Sequence, residues 1–265
     1  MIPSIPPRTR VIGSATFALL AGCAFDSELA DRAAAQVVID STSVLTSHND
    51  MGYRIALTRC RVAIDTLEFT TDGEMHASRF GPAWDLLVPS AFAHPGHAAG
   101  GEVVGELPGR HIFDWRDGGA WLGEATLLKA TYNGANFSFT RAEVHDGLAP
   151  DDPLIGHTFE IMGVATVDDE RWEFSALIDQ DAGRRVVGLP MELDLDPSED
   201  PELELGLQLM VEDFSEGTTL FDGIDFAMLD QDGDHVVVIE PGTEAHDRLA
   251  RSTQGHGHYG VLVHE

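Results

Sequence analysis

Four histidines stand in two tight pairs, and imidazoles spaced this way are metal-ligand chemistry. His94-Pro95-Gly96-His97 sets two rings three residues apart across a Pro-Gly turn, and His256-Gly257-His258 sets two rings just before the last apolar run. If the second pair is extended, both rings project to one side, because side chains on a strand alternate with period two. Neutral imidazole nitrogens suit copper or zinc, and two such pairs could supply four of them. His111, His145 and His246 are candidate additional ligands.

A second constellation is Asp230-Gln231-Asp232-Gly233-Asp234. Carboxylates at alternate positions of a tight loop resemble the first, third and fifth positions of an EF-hand, where they converge on calcium. Two positions depart from that pattern. His235 stands sixth, where glycine permits a sharp turn, and Pro241 stands twelfth, where a bidentate glutamate belongs. Val236 to Ile239 reads as a strand and not as the exit helix of an EF-hand. Two readings therefore stand side by side. One is a free-standing calcium site at Asp230, Asp232 and Asp234, with Asp222 or Asp225 as a further carboxylate. The other is an Asp/Gly turn in which aspartate bonds its own backbone.

Other chemistry is thinly represented. Cys60 alternates with apolar neighbours and reads as a small buried hydrophobe rather than as a thiolate ligand or nucleophile. No H-E-x-x-H, G-x-S-x-G, Walker loop or G-x-G-x-x-G occurs, and the expectation is a binding protein, not an enzyme. The formal net charge of −29 argues against nucleic acid and anionic lipid as partners and favours cations.

The N-terminus supplies an address. Arg8 and Arg10 precede an apolar run that opens at Val11 and closes at Leu20-Ala21-Gly22-Cys23. A basic region, a short apolar region and small residues at a cleavage point describe a secretory signal peptide. Its ending resembles the lipobox of bacterial lipoproteins. That resemblance implies cleavage before Cys23 and a lipid on its thiol, and hence attachment to the membrane through Cys23. Ala24 and Phe25 follow, with no aspartate directly after the cysteine; by the same analogy the protein is exported to the outer membrane, facing the periplasm or the cell surface. The organisation then reads as a signal peptide at 1–22, a tether at 23–50 and one domain at 51–265.

The elements that must position these residues are strands. Tyr53, Ile55 and Leu57 alternate with polar neighbours, and Val62, Ile64, Leu67 and Phe69 continue the pattern with a slip that marks a bulge or turn. Further strands are expected at 36–40, within the tether, and at 102–107, 110–115, 124–130, 136–144, 157–167, 171–178, 186–195, 202–211 and 259–264. Asp168-Asp169-Glu170 is placed to turn a hairpin, and Pro190 suits an edge or bulge. Helices are few: a short one within 218–229, and one capped by Thr243. The sum is an all-β fold, an antiparallel β-sandwich with one or two short helices near the C-terminus.

Phe113-Asp114-Trp115-Arg116-Asp117-Gly118-Gly119, with Leu122-Gly123-Glu124 and the strand after Tyr132, resembles a family of uncharacterised bacterial lipoprotein β-sandwiches, which implies fold alone. In strand layout the chain is also similar to copper-binding periplasmic lipoproteins associated with methanobactin uptake. The expected function is a lipid-anchored envelope protein that binds a metal ion, copper or zinc at the histidine pairs and calcium at the Asp230 loop. The alternative is a structural or adhesive envelope module that binds a protein or glycan.

Overall fold

A computed structural model describes residues 32–44, 46–71, 101–196, 203–213 and 216–264. Cys23, His94 and His97 lie outside the described residues, as does the signal segment. Among the described residues twelve strands are formed: β1 (Arg32–Asp40), β2 (Thr46–His48), β3 (Arg54–Thr70), β4 (Val103–Asp114), β5 (Trp121–Leu128), β6 (Ala130–Phe139), β7 (Phe159–Val167), β8 (Glu170–Ile178), β9 (Arg185–Leu195), β10 (Leu203–Leu209), β11 (Val236–Ile239) and β12 (Tyr259–His264). Two short helices, α1 (Phe226–Leu229) and α2 (Glu244–Ser252), lie late in the chain.

The fold is mostly β, as the periodicity requires, but it is not antiparallel throughout. All the strands belong to one hydrogen-bonded sheet whose main path is β11-β8-β7-β3-β4-β5-β1-β10-β12, with β2, β6 and β9 branching from it. Two pairs are parallel, β1 with β10 and β11 with β8, so the sheet is mixed. Strand alternation shows which face is buried and carries no information about the direction of the neighbour. The parallel partner of Val37 is Leu205, far away in sequence.

β3 is the spine. Its first half pairs with β7 on one side, and its second half pairs with β6 on that side and β4 on the other. The slip expected after Ile64 is a bulge: the register shifts between Asp65 and Leu67, and Thr66 takes a φ of +35°. From β3 the sheet curls until β12 lies alongside β9. The enclosed side carries one continuous core that includes Trp115, Tyr132, Phe137, Phe139, Phe159 and Tyr259, all essentially without solvent exposure. Phe113 meets Trp115 edge-on at 4.8 Å and Phe137 meets Tyr259 at 5.1 Å, the favoured arrangement of aromatic pairs.

Within the span read as a tether, the strand expected at 36–40 is present as β1, and β2 joins the sheet after it. β1 runs between β5 and β10, and Ala35, Val37 and Ile39 are fully buried. β1 begins four residues before the expected start at 36, because Ala34 and Ala35 carry little hydrophobic signal although alanine fits wherever strands pack closely. Other expectations hold. β7 and β8 form a hairpin through Asp168 and Asp169, both at positive φ as a type I′ turn demands. Thr243 caps α2, its hydroxyl accepting from the His246 N–H. Pro190 lies on β9, which pairs with β6 alone and shows register shifts on both sides of the proline's partner Gly134.

The segment 216–235 crosses one end of the sheet and is pinned by the turn before β3. Asn49 Nδ2 donates to the carbonyls of Phe221 and Ile224, while its Oδ1 accepts from Met51 and Tyr53. Asp50 and Asp222 exchange bonds across the same gap: Asp50 N–H donates to Asp222 at 2.9 Å, and Gly223 N–H donates to Asp50 at 2.7 Å. Asn49→Ala removes four bonds at a buried position and leaves their partners without replacement. A loss of about 2–3 kcal/mol is expected, measured as a lower urea midpoint with an unchanged slope.

Candidate metal centre

The segment so pinned leads into α1 and then into the Asp230 loop. α1 is one turn long. Asp225 caps it by accepting from Met228 N–H, and the Tyr53 hydroxyl both donates to Asp225 and accepts from Ala227 N–H. Phe226 inserts into the core between Tyr53 and Phe174, with ring centroids at 5.3 and 4.9 Å. The chain therefore leaves α1 from a fixed point.

The loop itself is built around one carboxylate. Asp230 Oδ1 accepts from Gly233 N–H at 2.9 Å, and Oδ2 accepts from His235 N–H at 3.2 Å and from the Trp172 indole at 3.1 Å. Burial works to raise the Asp230 pKa, but the bonds from His235, Trp172 and Gly233 outweigh it and hold the carboxyl below its ordinary value. Asp234 accepts from Val236 N–H at 2.8 Å as β11 begins. Asp230, Asp232 and Asp234 each bring a carboxylate oxygen within 4.8 Å of the others. No other group of three His, Cys, Asp or Glu ligand atoms among the described residues comes so close.

The sixth position gains a physical explanation. His235 takes a φ of +62°, the left-handed conformation for which glycine is normally used. Its ring lies 5.3 Å from the Trp172 ring, and its carbonyl accepts from Glu173 N–H at 2.9 Å. Stacking and pairing to β8 hold the histidine in a conformation that its own sterics disfavour. The chain then exits into β11, as the apolar run from Val236 implies. Neither Asp222 nor Asp225 joins the cluster, since both are used in the pinning described above. Trp172, Tyr53 and Asn49 were not singled out from sequence. They read there as ordinary strand and turn residues; the fold alone brings Trp172 to the loop and Tyr53 and Asn49 to the segment that leads into it.

The histidine reading fares differently. His256-Gly257-His258 is not extended but forms a single turn of 3₁₀ helix before β12. Successive residues rotate by about 120° in such a turn, so the two rings do not share a side. The His258 Nδ1–H donates to the Met210 carbonyl at 2.9 Å; the ring is buried, which lowers its pKa despite nearby Asp213. Gly257 packs closely on Asp213: a Cβ there would fall 2.0 Å from its carboxylate oxygen, so that side chain would have to move.

The three additional histidines are dispersed. His111 is on β4, with burial lowering its pKa. His145 lies 3.2 Å from Glu143, and His246 bonds the Leu177 carbonyl at 3.1 Å. Cys60 is buried as expected, and desolvation pushes its thiol far above the range in which a thiolate forms. No protein-family model, curated protein or solved structure matches the chain.

Trp172→Phe keeps an aromatic ring against Tyr53 and removes only the indole donor to Asp230. Faster amide hydrogen exchange at Gly233 and His235 is expected, read residue by residue by NMR. Unchanged exchange at both amides would show that the indole bond does not order the loop.

Proposed function

We propose that this chain is a lipid-anchored envelope protein, held by Cys23 and exported to the outer membrane, whose domain binds a divalent cation. In this reading the curled sheet packs its two halves face to face as a β-sandwich, and its pinned end presents the Asp230 loop to solvent. The cation it suits best is calcium, because three convergent carboxylates are hard oxygen ligands. The observation that carries the reading is the approach of Asp230, Asp232 and Asp234 oxygens to within 4.8 Å in a loop whose sixth residue turns through positive φ. Copper or zinc at His94 and His97 remains a proposal from sequence alone, with His256 and His258 turned apart as its other half.

Asp232 provides the cleanest test. Asp230 and Asp234 hold the loop backbone, so replacing them alters the fold as well as the charge. Asp232→Asn removes one candidate ligand charge and leaves those bonds in place. Ligand at a hundredfold excess over its Kd stabilises the folded state by about 2.7 kcal/mol, on the order of 5–10 °C in Tm for a domain of this size. A rise of that order with millimolar calcium is expected by calorimetry, at least halved in Asp232→Asn. No shift in the parent protein would leave the Asp/Gly turn as the whole role of the loop.

The anchor is tested separately. Cys23→Ser is expected to abolish incorporation of labelled palmitate in a bacterial host and to release the protein from the membrane fraction.

A further inference from the structure

β11 is an edge. It pairs with β8 alone, and among the described residues no strand lies on its other side. Register pairs Val236 with Glu173, and Glu173 N–H donates to the His235 carbonyl. In a parallel ladder this assigns the backbone groups of Val237 and Ile239 to β8 and turns those of Val236 and Val238 to the open side. The Val236 N–H is taken by Asp234. The Val238 N–H and the carbonyls of Val236 and Val238 face outward.

The side chains there are apolar and unprotected. Val236 is 53% exposed and Val238 is 62% exposed, on the face opposite the buried Val237 and Ile239. Met228, on α1 beside β11, is 79% exposed. Around this strip stand carboxylates: Asp232 and Asp234 before the strand, Glu240 after it, and Glu173 level with Val236 on β8. The charged group opposing them on the adjoining strand is Arg171, which bonds Glu173 at 3.1 Å.

We propose that β11 is a docking edge for an extended, basic segment of another protein, which adds as a strand with its apolar residues on Val236 and Val238 and its lysines or arginines among the acids. Charge selects this occupant. An antiparallel copy of the same strand would set Asp234 of one molecule near Glu240 of the other, and both molecules carry a net charge of −29. Like charges placed across a strand pair oppose pairing. A cationic strand meets the same rim with the opposite sign, and its main-chain bonds and alternating side chains are the usual means of strand addition.

The test uses the full chain in EDTA, so that it is independent of the calcium reading. The probe is a fluorescent acetylated peptide alternating lysine and valine, with the same peptide N-methylated at alternate residues as its partner. Strand addition predicts salt-sensitive binding by anisotropy, slowed amide exchange at Val238, and binding at least about tenfold weaker for the N-methylated peptide. Val238→Lys and Val238→Pro are each expected to weaken binding by a similar factor. The proline removes only an outward-facing N–H, which edge strands tolerate, and circular dichroism verifies that both variants are folded.

No binding overturns the proposal. So does equal binding of both peptides or of the variants, which would indicate adsorption by net charge alone. Concentration-dependent self-association through Val238, seen by sedimentation, would assign the edge to a second copy and overturn it as well.

Discussion

Acidic side chains outnumber basic ones 45 to 16 in this chain, so most carboxylates must find a partner other than a cation. Water takes most of them, and a set of aspartates accepts from backbone N–H groups instead. Asp40 accepts from Thr42, Asp114 from Cys60 and Arg116, Asp152 from Leu154, Asp213 from Glu216, and Asp222 from Asp50 and Thr219. Each bond lies at a turn or strand end, where main-chain donors are left over by the sheet. Excess negative charge therefore becomes a source of loop order. Arginine serves the more buried carboxylates: Arg61 grips Asp152 through two bonds and Glu160 through another, and Arg110 holds Asp146, while Arg171 and Arg248 pair with exposed glutamates. These guanidinium contacts are the leading reason that Asp146 and Asp152 titrate below the ordinary range.

The Asp230 loop is this same device carried one step further. Its first carboxylate is spent on three N–H donors and its last on one, much as elsewhere in the molecule. What differs is convergence. Asp232 adds a third charge within reach of both, while the donors around the loop are neutral dipoles. Dipoles orient a carboxylate without cancelling the mutual repulsion of three. That residual field is what a hard cation would relieve.

Strand existence was legible because burial on one face enforces period two. Leu203, Leu205, Leu207 and Leu209 alternate in sequence and all are buried in β10. Partner choice was not legible, because β1 meets β10 through contacts far apart in the chain, and local alternation is the same for either direction. The Asp230 loop was readable from spacing, but its support was not. Trp172 reaches it, and Tyr53 reaches the helix before it, only after the sheet brings β8 and the start of β3 close. His256 and His258 take a turn for a local reason: Gly255 and Gly257 flank His256, and glycine favours a turn over a strand. The strand at 36–40 was legible from Val37, Val38 and Ile39, but its start at Arg32 was not, because alanine looks like linker while β1 needs small residues between two neighbours.

The Asp230 loop and the edge strand share residues. Asp234 belongs to the carboxylate cluster and at the same time occupies the first N–H of β11. Asp232 and Asp234 would therefore serve either as ligands for a small cation or as the acidic rim that attracts a basic strand. A bound divalent ion would cancel much of the rim's field, and a docked lysine or arginine would do likewise to the ion's site. Linkage requires the antagonism to be reciprocal: whatever factor calcium takes from the affinity of the strand, the strand takes from the affinity of calcium. An edge governed in this way would be most receptive where free divalent cations are scarce.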